Sequence, residues 1–265
     1  MTIEELKAKA NEIRDDVIRV ACKNKCGHIA PSLSTVDILV ALYYKIMFPF
    51  MDMLFTQPDI WKNRDRLILS KGHGGYALYA ILADLRIIPK EQWERFGDNF
   101  HPPSALKGCI EYKPEWGLEA STGSLGHGLP MAVGMAYAAK IQGLNWHTYC
   151  IVGDGELQEG SCWEALNFMY DHDIRNITVI IDANGFMALE KVNTQTRNNP
   201  FYNGASIIDG HDIWGMVLIL KQKPRMLVAE TIKGKGLKCM EGKAHFHYRL
   251  PTVDELCEGR TYGKE

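Results

Sequence analysis

The sequence predicts an α/β protein in which a parallel β-sheet is covered by helices on both faces. Short runs that are apolar almost throughout, as strands buried on both sides require, alternate with stretches whose apolar residues have helical spacing. No repeat, low-complexity tract or Gly/Ser linker divides the 265 residues, of which 46% are hydrophobic. This length and composition suit one large core or, at most, two modest domains, and the alternation of strands and helices predicts a single domain over residues 1–265.

The predicted elements alternate along the chain as this fold class requires. The N-terminal segment MTIEELKAKANEIRDD is predicted to be a polar helix. Ser34 to Asp37 resembles a capping box with Asp in place of Glu, and it opens the apolar helix DILVALYYKIMF. The later predicted helices are GGYALYAILADL, GLPMAVGMAYAAKIQG, CWEALNFMYDH and a brief one after His211. The predicted strands are RLILS, TYCIVG, NITVIID, ASIID and RMLVAETI.

Charge and cysteine usage exclude several classes of protein. The formal charge of −2 and the isoelectric point near 6.5 give no basic field for nucleic acid or an anionic membrane. No run reaches the length of a membrane span, and the polar N-terminal helix is unlike a signal peptide. The seven cysteines are scattered singly, and Cys22 and Cys26 have no second Cys or His pair at zinc-site spacing. We therefore expect a cytoplasmic protein with reduced, mostly structural thiols and neither a nucleic-acid nor a membrane partner.

Polar residues follow two predicted strands that are expected to be neighbours. Gly153, Asp154 and Gly155 come directly after TYCIV, and Asn184 stands 30 residues after Asp154, behind NITVIID. In parallel sheets, ligands bind beyond the carboxyl ends of the strands. A carboxylate and an amide oxygen there suit Mg²⁺, and glycines let the backbone approach a diphosphate. The tripeptide alone is a weak signal, because strand-to-helix turns use Gly and Asp for conformational reasons.

The motifs around this pair resemble those of the transketolase family of thiamine-diphosphate enzymes. GDG followed by a distant Asn is typical of enzymes that bind this cofactor, and GDGELQEGSCWEALNF with VIIDANG resembles the transketolase branch. Further matching motifs occur in the family's order across Ile13–Pro251: CGHI, LSKGHG, EASTGSLGHG, TIKGKG and HFHY. The resemblance covers the diphosphate-binding domain that is N-terminal in a whole transketolase, and it implies that domain's fold.

The resemblance implies a metal site and a cofactor site, residue by residue. The side chains of Asp154 and Asn184 and the backbone carbonyl of Phe186 match metal ligands, for Mg²⁺ or for Ca²⁺ or Mn²⁺ in its place. The residues matched to thiamine diphosphate itself are His73, Gly123, Ser124, Leu125, Gly155, Asn184, Lys233 and His247. Of these, Gly123 to Leu125 match the turn that meets the aminopyrimidine ring.

Histidines are the implied catalytic residues. His28 and His247 match histidines that line the substrate channel, and His101 is the candidate for a third. Imidazoles that titrate near neutrality suit proton exchange with the hydroxyl and carbonyl groups of a ketose. His245, two residues from His247, is a competing assignment, and Lys233 in its KGKG turn has the alternative of being a solvated charge.

The chain departs from the family pattern in three places. The loop after His28 contains Pro31, which removes an N–H donor at a position that contacts the cofactor in the family. His101 stands 22 residues before Gly123, farther than the family's substrate histidine, so either an extended loop keeps its role or the role is lost. The stretch between Asn184 and the KGKG turn is also shortened.

The resemblance further implies an incomplete enzyme. In the family, the glutamate that activates the cofactor and most groups that recognise the sugar lie in a following pyrimidine-binding domain. We therefore expect the N-terminal subunit of a split transketolase, which transfers a two-carbon ketol unit between sugars together with a partner chain, as an α₂β₂ assembly. The alternatives are an α-subunit of another thiamine-diphosphate enzyme, either deoxyxylulose synthase-like or 2-oxo-acid dehydrogenase-like, and a non-catalytic cofactor-binding scaffold.

Overall fold

A computed structural model describes residues 1–47, 61–97, 104–192 and 204–262. The helices in these ranges are α1 Ile3–Lys23, α2 Ile29–Leu33, α3 Val36–Ala41, α4 Gly75–Asp84, α5 Lys90–Glu94, α6 Gly128–Gln142, α7 Gly160–Asp171, α8 Ile213–Lys221 and α9 Val253–Cys257. The strands are β1 Arg66–Leu69, β2 Thr148–Gly153, β3 Ile177–Ala183, β4 Ser206–Asp209 and β5 Met226–Glu230. None of these helices is both long enough and apolar enough to cross a membrane.

The five strands form one parallel sheet in the order β1-β2-β3-β5-β4. The register pairs Gly153 at the end of β2 with Asp182 of β3, and Ala183 of β3 with Glu230 of β5. The carboxyl ends of the three central strands therefore lie side by side. The predicted fold class is confirmed, and so is the expectation that the strands before Asp154 and Asn184 are neighbours.

The sheet separates two hydrophobic cores, because successive strand side chains point to opposite faces. Helices α1, α3, α4 and α8 cover the larger core, and α6 and α7 cover the smaller one. In β2, Tyr149 and Ile151 face the larger core, whereas Cys150 and Val152 face the smaller. Burial on both sides explains why the strands are almost uniformly apolar.

The predicted capping box at Ser34 is wrong. Thr35 is the residue before α3, and it makes no side-chain cap. The Ser34 hydroxyl instead donates to the carboxylate of Asp182 at 2.8 Å, and Asp37 is buried against Arg14. Both side chains that the local pattern assigned to the helix end are therefore bonded to residues distant in sequence. The predicted helix is present, but it changes type, since α3 passes into a π-helical turn over Leu42–Ile46.

Gly72 permits a close backbone approach that the site depends on. A Cβ atom on Gly72 would lie 2.3 Å from the backbone oxygen of Thr122. Thr122 is itself fixed, since its backbone N–H donates to the carbonyl of Ile110 and its hydroxyl donates to the carbonyl of Leu69, both at 2.9 Å. The loop after β1 and the segment that leads to Gly123 are therefore in direct contact.

We predict that Gly72→Ala lowers the free energy of unfolding by about 2 kcal/mol, because the new methyl group forces two backbones apart. The control is Gly134→Ala on α6, where an added Cβ meets nothing within 4 Å and helix propensity favours Ala by about 0.5–1 kcal/mol. Urea unfolding of both variants measures the difference. Equal stability of Gly72→Ala and wild type would contradict the close approach.

Candidate functional site

A cleft of about 500 Å³ opens at the carboxyl ends of the central strands. Ten of the residues predicted for the site line it: His28, His73, Gly123, Leu125, Asp154, Gly155, Asn184, Phe186, Lys233 and His247. Ser124 is exposed in the turn beside the cleft and is not part of its lining. His101 lies outside the described residues. These ten residues come from seven separate segments of the chain.

The carboxylate of Asp154 is buried at the end of β2, with 1% of the residue exposed. Oδ1 accepts a hydrogen bond from the N–H of Gly155 at 3.0 Å, and Oδ2 accepts one from Gly185 at 2.7 Å. Burial and the nearby carboxylate of Asp182 raise the pKa of Asp154 to about 7. A divalent cation would offset both effects, so this carboxylate fits a metal ligand.

Asn184 lies opposite Asp154, after β3. Its amide nitrogen donates to Asp182 at 3.1 Å, and its amide oxygen accepts the N–H of Phe186 at 3.1 Å. These two bonds fix the orientation of the amide and leave its oxygen one free lone pair. Within the four described ranges, no three His, Cys, Asp or Glu side chains are placed so that they could hold a metal ion together, so a metal here would also need amide or carbonyl oxygens. Such an oxygen set suits Mg²⁺ rather than zinc.

A buried ion pair between Lys71 and Asp182 lies beneath the cleft. The ammonium of Lys71 also donates to the carbonyl of Pro31 at 2.9 Å, and Asp182 further accepts from the hydroxyls of Ser34 and Thr231. Burial acts to raise the pKa of Asp182, but Lys71 and the hydroxyl donors outweigh it and hold the pKa below its usual value. The pair therefore remains ionised and joins four segments of the chain.

Pro31, a departure from the family pattern, has a defined place in this network. It lines the cleft, and its carbonyl oxygen accepts a hydrogen bond from Lys71 and lies 3.1 Å from the hydroxyl oxygen of Ser34. Pro lacks an N–H donor, but its carbonyl still ties the loop after His28 to the buried ion pair.

Lys233 is a buried cation at the cleft wall, with 1% of the residue exposed. Its ammonium donates to the carbonyl of Met187 at 2.8 Å and lies 3.0 Å from Nδ1 of His247. Burial and the charge of Lys71 lower the pKa of Lys233 to about 8. The alternative of a solvated charge is therefore wrong. The competing His245 is exposed, whereas His247 lines the cleft.

Three imidazoles form one wall of the cleft. The ring centroids of His28 and His73 are 5.4 Å apart, those of His28 and His247 are 5.3 Å apart, and those of His73 and His247 are 5.0 Å apart. Burial and the charge of Lys233 lower the pKa of His28, and with His28 they lower that of His247 to about 4. Burial and the charge of Lys71 place the pKa of His73 far below its usual range. At neutral pH the wall therefore presents uncharged rings that can donate or accept hydrogen bonds.

The backbone holds His28 in an unusual conformation, with φ at 60°. The residue before it is Gly27, where a Cβ atom would lie 2.3 Å from the carbonyl oxygen of Tyr248. The ring of Tyr248 packs edge-on against His28 with centroids 4.7 Å apart. Close packing against the segment around His247 thus fixes His28, as a left-handed conformation in a non-glycine residue requires.

Glu156 fixes the turn that contains Gly123 to Leu125. This buried carboxylate accepts N–H bonds from Gly126 at 2.9 Å and from Gly153 at 3.3 Å, as well as a bond from the hydroxyl of Ser70. It therefore connects the turn to the ends of β1 and β2.

Three residues that organise the cleft were not predicted from the sequence: Lys71, Glu156 and Asp182. Each lies within two residues of one that was predicted, namely His73, Asp154 or Asn184. The sequence carried one signal for these residues: each is ionisable and lies beside a functional motif and next to an apolar strand. Such groups are seldom buried without a partner.

Comparisons with known proteins identify the family of the chain. The family model described as transketolase, thiamine diphosphate binding domain, matches residues 6–255. The chain belongs to the transketolase family.

Two relatives match along most of both chains. An apulose-4-phosphate transketolase subunit of Phocaeicola vulgatus is 34% identical over 97% of this chain and 93% of its own length. A 6-deoxy-6-sulfo-D-fructose transketolase subunit of a Clostridium species is also 34% identical, over 92% of this chain and 90% of its own. This transketolase chain therefore matches, over most of their length, relatives that are named as subunits.

Solved transketolases match in structure over part of their length. The enzyme of Campylobacter jejuni is 29% identical with a TM-score of 0.78, and that of Leishmania mexicana is 25% identical with a TM-score of 0.79. Each match covers 97% of this chain but only 42% and 40%, respectively, of those longer chains. The thiamine-diphosphate-binding domain of the transketolase family is therefore the part that this chain represents.

The low pKa of His73 predicts acid sensitivity. Its folded-state pKa lies below the unfolded value of about 6.5, so the unfolded chain gains a proton first as the pH falls. Between pH 6.5 and 4, wild type is expected to lose about 2 kcal/mol more stability than His73→Asn. Urea unfolding of both proteins across this range measures the difference. Identical slopes for His73→Asn and wild type would contradict the buried neutral ring.

Proposed function

We propose that this chain is the thiamine-diphosphate subunit of a split transketolase that transfers a two-carbon ketol unit from a ketose to an aldose. A partner subunit would supply the pyrimidine-binding domain and the activating glutamate, in an α₂β₂ assembly in the cytoplasm. The observation that carries the proposal is the single cleft in which a buried carboxylate, a buried lysine and three neutral histidines meet. The names of the subunit relatives support the need for a partner.

Asp154, Asn184 and the carbonyl of Phe186 are proposed to hold Mg²⁺, for which Ca²⁺ or Mn²⁺ would substitute. The unneutralised Asp154 carboxylate supports this, because a cation removes the cost of ionising it in its buried place. Asn184 contributes a neutral oxygen, so the site keeps room for the charge of a diphosphate.

The diphosphate is proposed to bind where the Gly155 backbone, Asn184, His73, Lys233 and His247 face the cleft. The ammonium of Lys233 is held here by contacts with the carbonyl of Met187 and the imidazole of His247, and neither group neutralises its charge. An anion at this place would gain a cationic donor that is already desolvated. Gly123, Ser124 and Leu125 are proposed to contact the aminopyrimidine ring.

Bound thiamine diphosphate would supply the carbanion chemistry that breaks and forms the carbon–carbon bond. The chain's own contribution is to handle protons beside it. His28 and His247 are uncharged at neutral pH, so each can accept a proton from a sugar hydroxyl or donate a hydrogen bond to a carbonyl oxygen. His101 is proposed as a third substrate histidine.

The metal site predicts a separation of folding from ligand binding. Asp154→Asn removes a buried charge that lies near Asp182 but also replaces one of two acceptors of backbone N–H groups, so the ligand-free melting temperature of each protein serves as its own reference. Mg²⁺ with thiamine diphosphate at about 100 times its Kd should stabilise wild type by about 2.7 kcal/mol and leave the variant unchanged. Thermal unfolding with and without the ligands measures both effects. Equal stabilisation of the two proteins would exclude Asp154 as a metal ligand.

The proposed transfer is tested by co-expression with a chain that carries a pyrimidine-binding domain. The complex should exchange two-carbon units between a ketose and an aldose, and product masses report it. His28→Ala should lower kcat about 100-fold while cofactor binding persists, because a proton-transfer group is lost. His172→Asn, on the exposed end of α7, is the matched control. Robust exchange by the isolated chain would refute the need for a partner.

A further inference from the structure

Three side chains form a cluster behind the cleft and line no part of it: Arg14 of α1, Asp37 of α3, and His211 between β4 and α8. Arg14 and Asp37 are 4% and 3% exposed and form a buried ion pair. The same carboxylate oxygen, Oδ2 of Asp37, lies 2.6 Å from Nδ1 of His211. The cluster therefore joins three elements that are far apart in sequence.

The hydrogen bonds of His211 select one form of its ring. The backbone N–H of Ile232 donates to Nε2 of His211 at 2.8 Å, so this nitrogen carries no proton. The proton then resides on Nδ1, which donates to Asp37. His211 is thus a neutral bridge between a buried carboxylate and a backbone amide.

The cluster contacts both ends of the turn that carries Lys233. At the start of the turn, His211 holds the amide of Ile232. At its end, the side chain of Arg14 packs on Gly236, where a Cβ atom would lie 2.8 Å from Cδ of Arg14. Between them, the N–H of Gly234 donates to the carbonyl of Ala30 at 3.0 Å.

We propose that Arg14, Asp37 and His211 are positioning residues that set the reach of Lys233 into the cleft. The inference rests on the proposed function, in which Lys233 binds the diphosphate. A lysine side chain is long and flexible, so the place of its ammonium depends on a fixed backbone. Release of the Ile232 amide frees the backbone one residue before Lys233, and a displacement of about 1 Å is enough to weaken a binding group.

Backbone hydrogen exchange tests the cluster on the chain without ligands. His211→Ala should speed exchange about tenfold in a peptide that spans residues 231–237, because the Ile232 amide loses its acceptor. Gln can place an oxygen where Nε2 accepts, whereas Asn mimics only Nδ1. His211→Gln should therefore retain protection and His211→Asn should lose it. Wild-type protection in both the Ala and Asn variants would overturn the proposal, as would equal loss in all three.

Ligand binding tests whether the cluster acts through Lys233. Titration of the complex with the partner subunit, using Mg²⁺ and thiamine diphosphate, should show Lys233→Met weakening binding by about 10–100-fold and His211→Ala by about tenfold. The double variant should bind no more weakly than Lys233→Met alone, since the positioned group is already gone. Additive losses would overturn the positioning role.

The two experiments separate failure of the inference from failure of the proposed function. If wild type binds no cofactor, or if Lys233→Met binds as wild type does, the assignment of Lys233 to the diphosphate fails and the positioning role toward it fails with that assignment. Hydrogen exchange then still shows whether His211 holds the turn. If Lys233→Met weakens binding and His211→Ala does not, the function stands and the inference is wrong.

Discussion

The ion pair between Lys71 and Asp182 is the interaction on which the rest of the site depends. It sits where the loops after β1 and β3 meet, and it collects hydrogen bonds from Ser34, from Thr231 and to Pro31. The side chains of Lys71 and Asp182 are 3% and 0% exposed. A charge pair buried this deeply is stable only when its remaining donors and acceptors are hydrogen-bonded. Here they are supplied by the segments that carry the candidate ligands, so satisfying the pair also assembles the cleft.

The electrostatics of the cleft follow from this arrangement. Asp182 is paired with the ammonium of Lys71. Asp154 accepts hydrogen bonds only from two backbone N–H groups, and its pKa is raised. The two lysines in turn lower the pKa values of the neighbouring histidines, with burial as the larger cause. The result is a cleft that favours a cation at Asp154 and an anion at Lys233, and that also presents uncharged imidazoles.

Much of this could be predicted from the sequence because local patterns report local constraints. Apolar runs predicted the buried parallel strands, and GDG with Asn184 predicted which strand ends border the cleft, since both depend on short stretches of chain. The capping box at Ser34 failed because its residues, Ser34 and Asp37, found partners 148 and 23 residues away. Local pattern cannot report such partners. The same limit hid Glu156, whose acceptor role needs the turn at Gly126 to be in place.

The sequence by itself determined the family, the order of the strands and helices, and the residue types available to hold a metal and a diphosphate. Only the tertiary structure decided which of those residues are charged and where they point. It places His247 rather than His245 in the cleft, buries Lys233 where a solvated charge was the alternative, and pairs His211 with the backbone N–H of Ile232. The physical reason is burial: protonation state and orientation depend on neighbours brought together from distant parts of the chain.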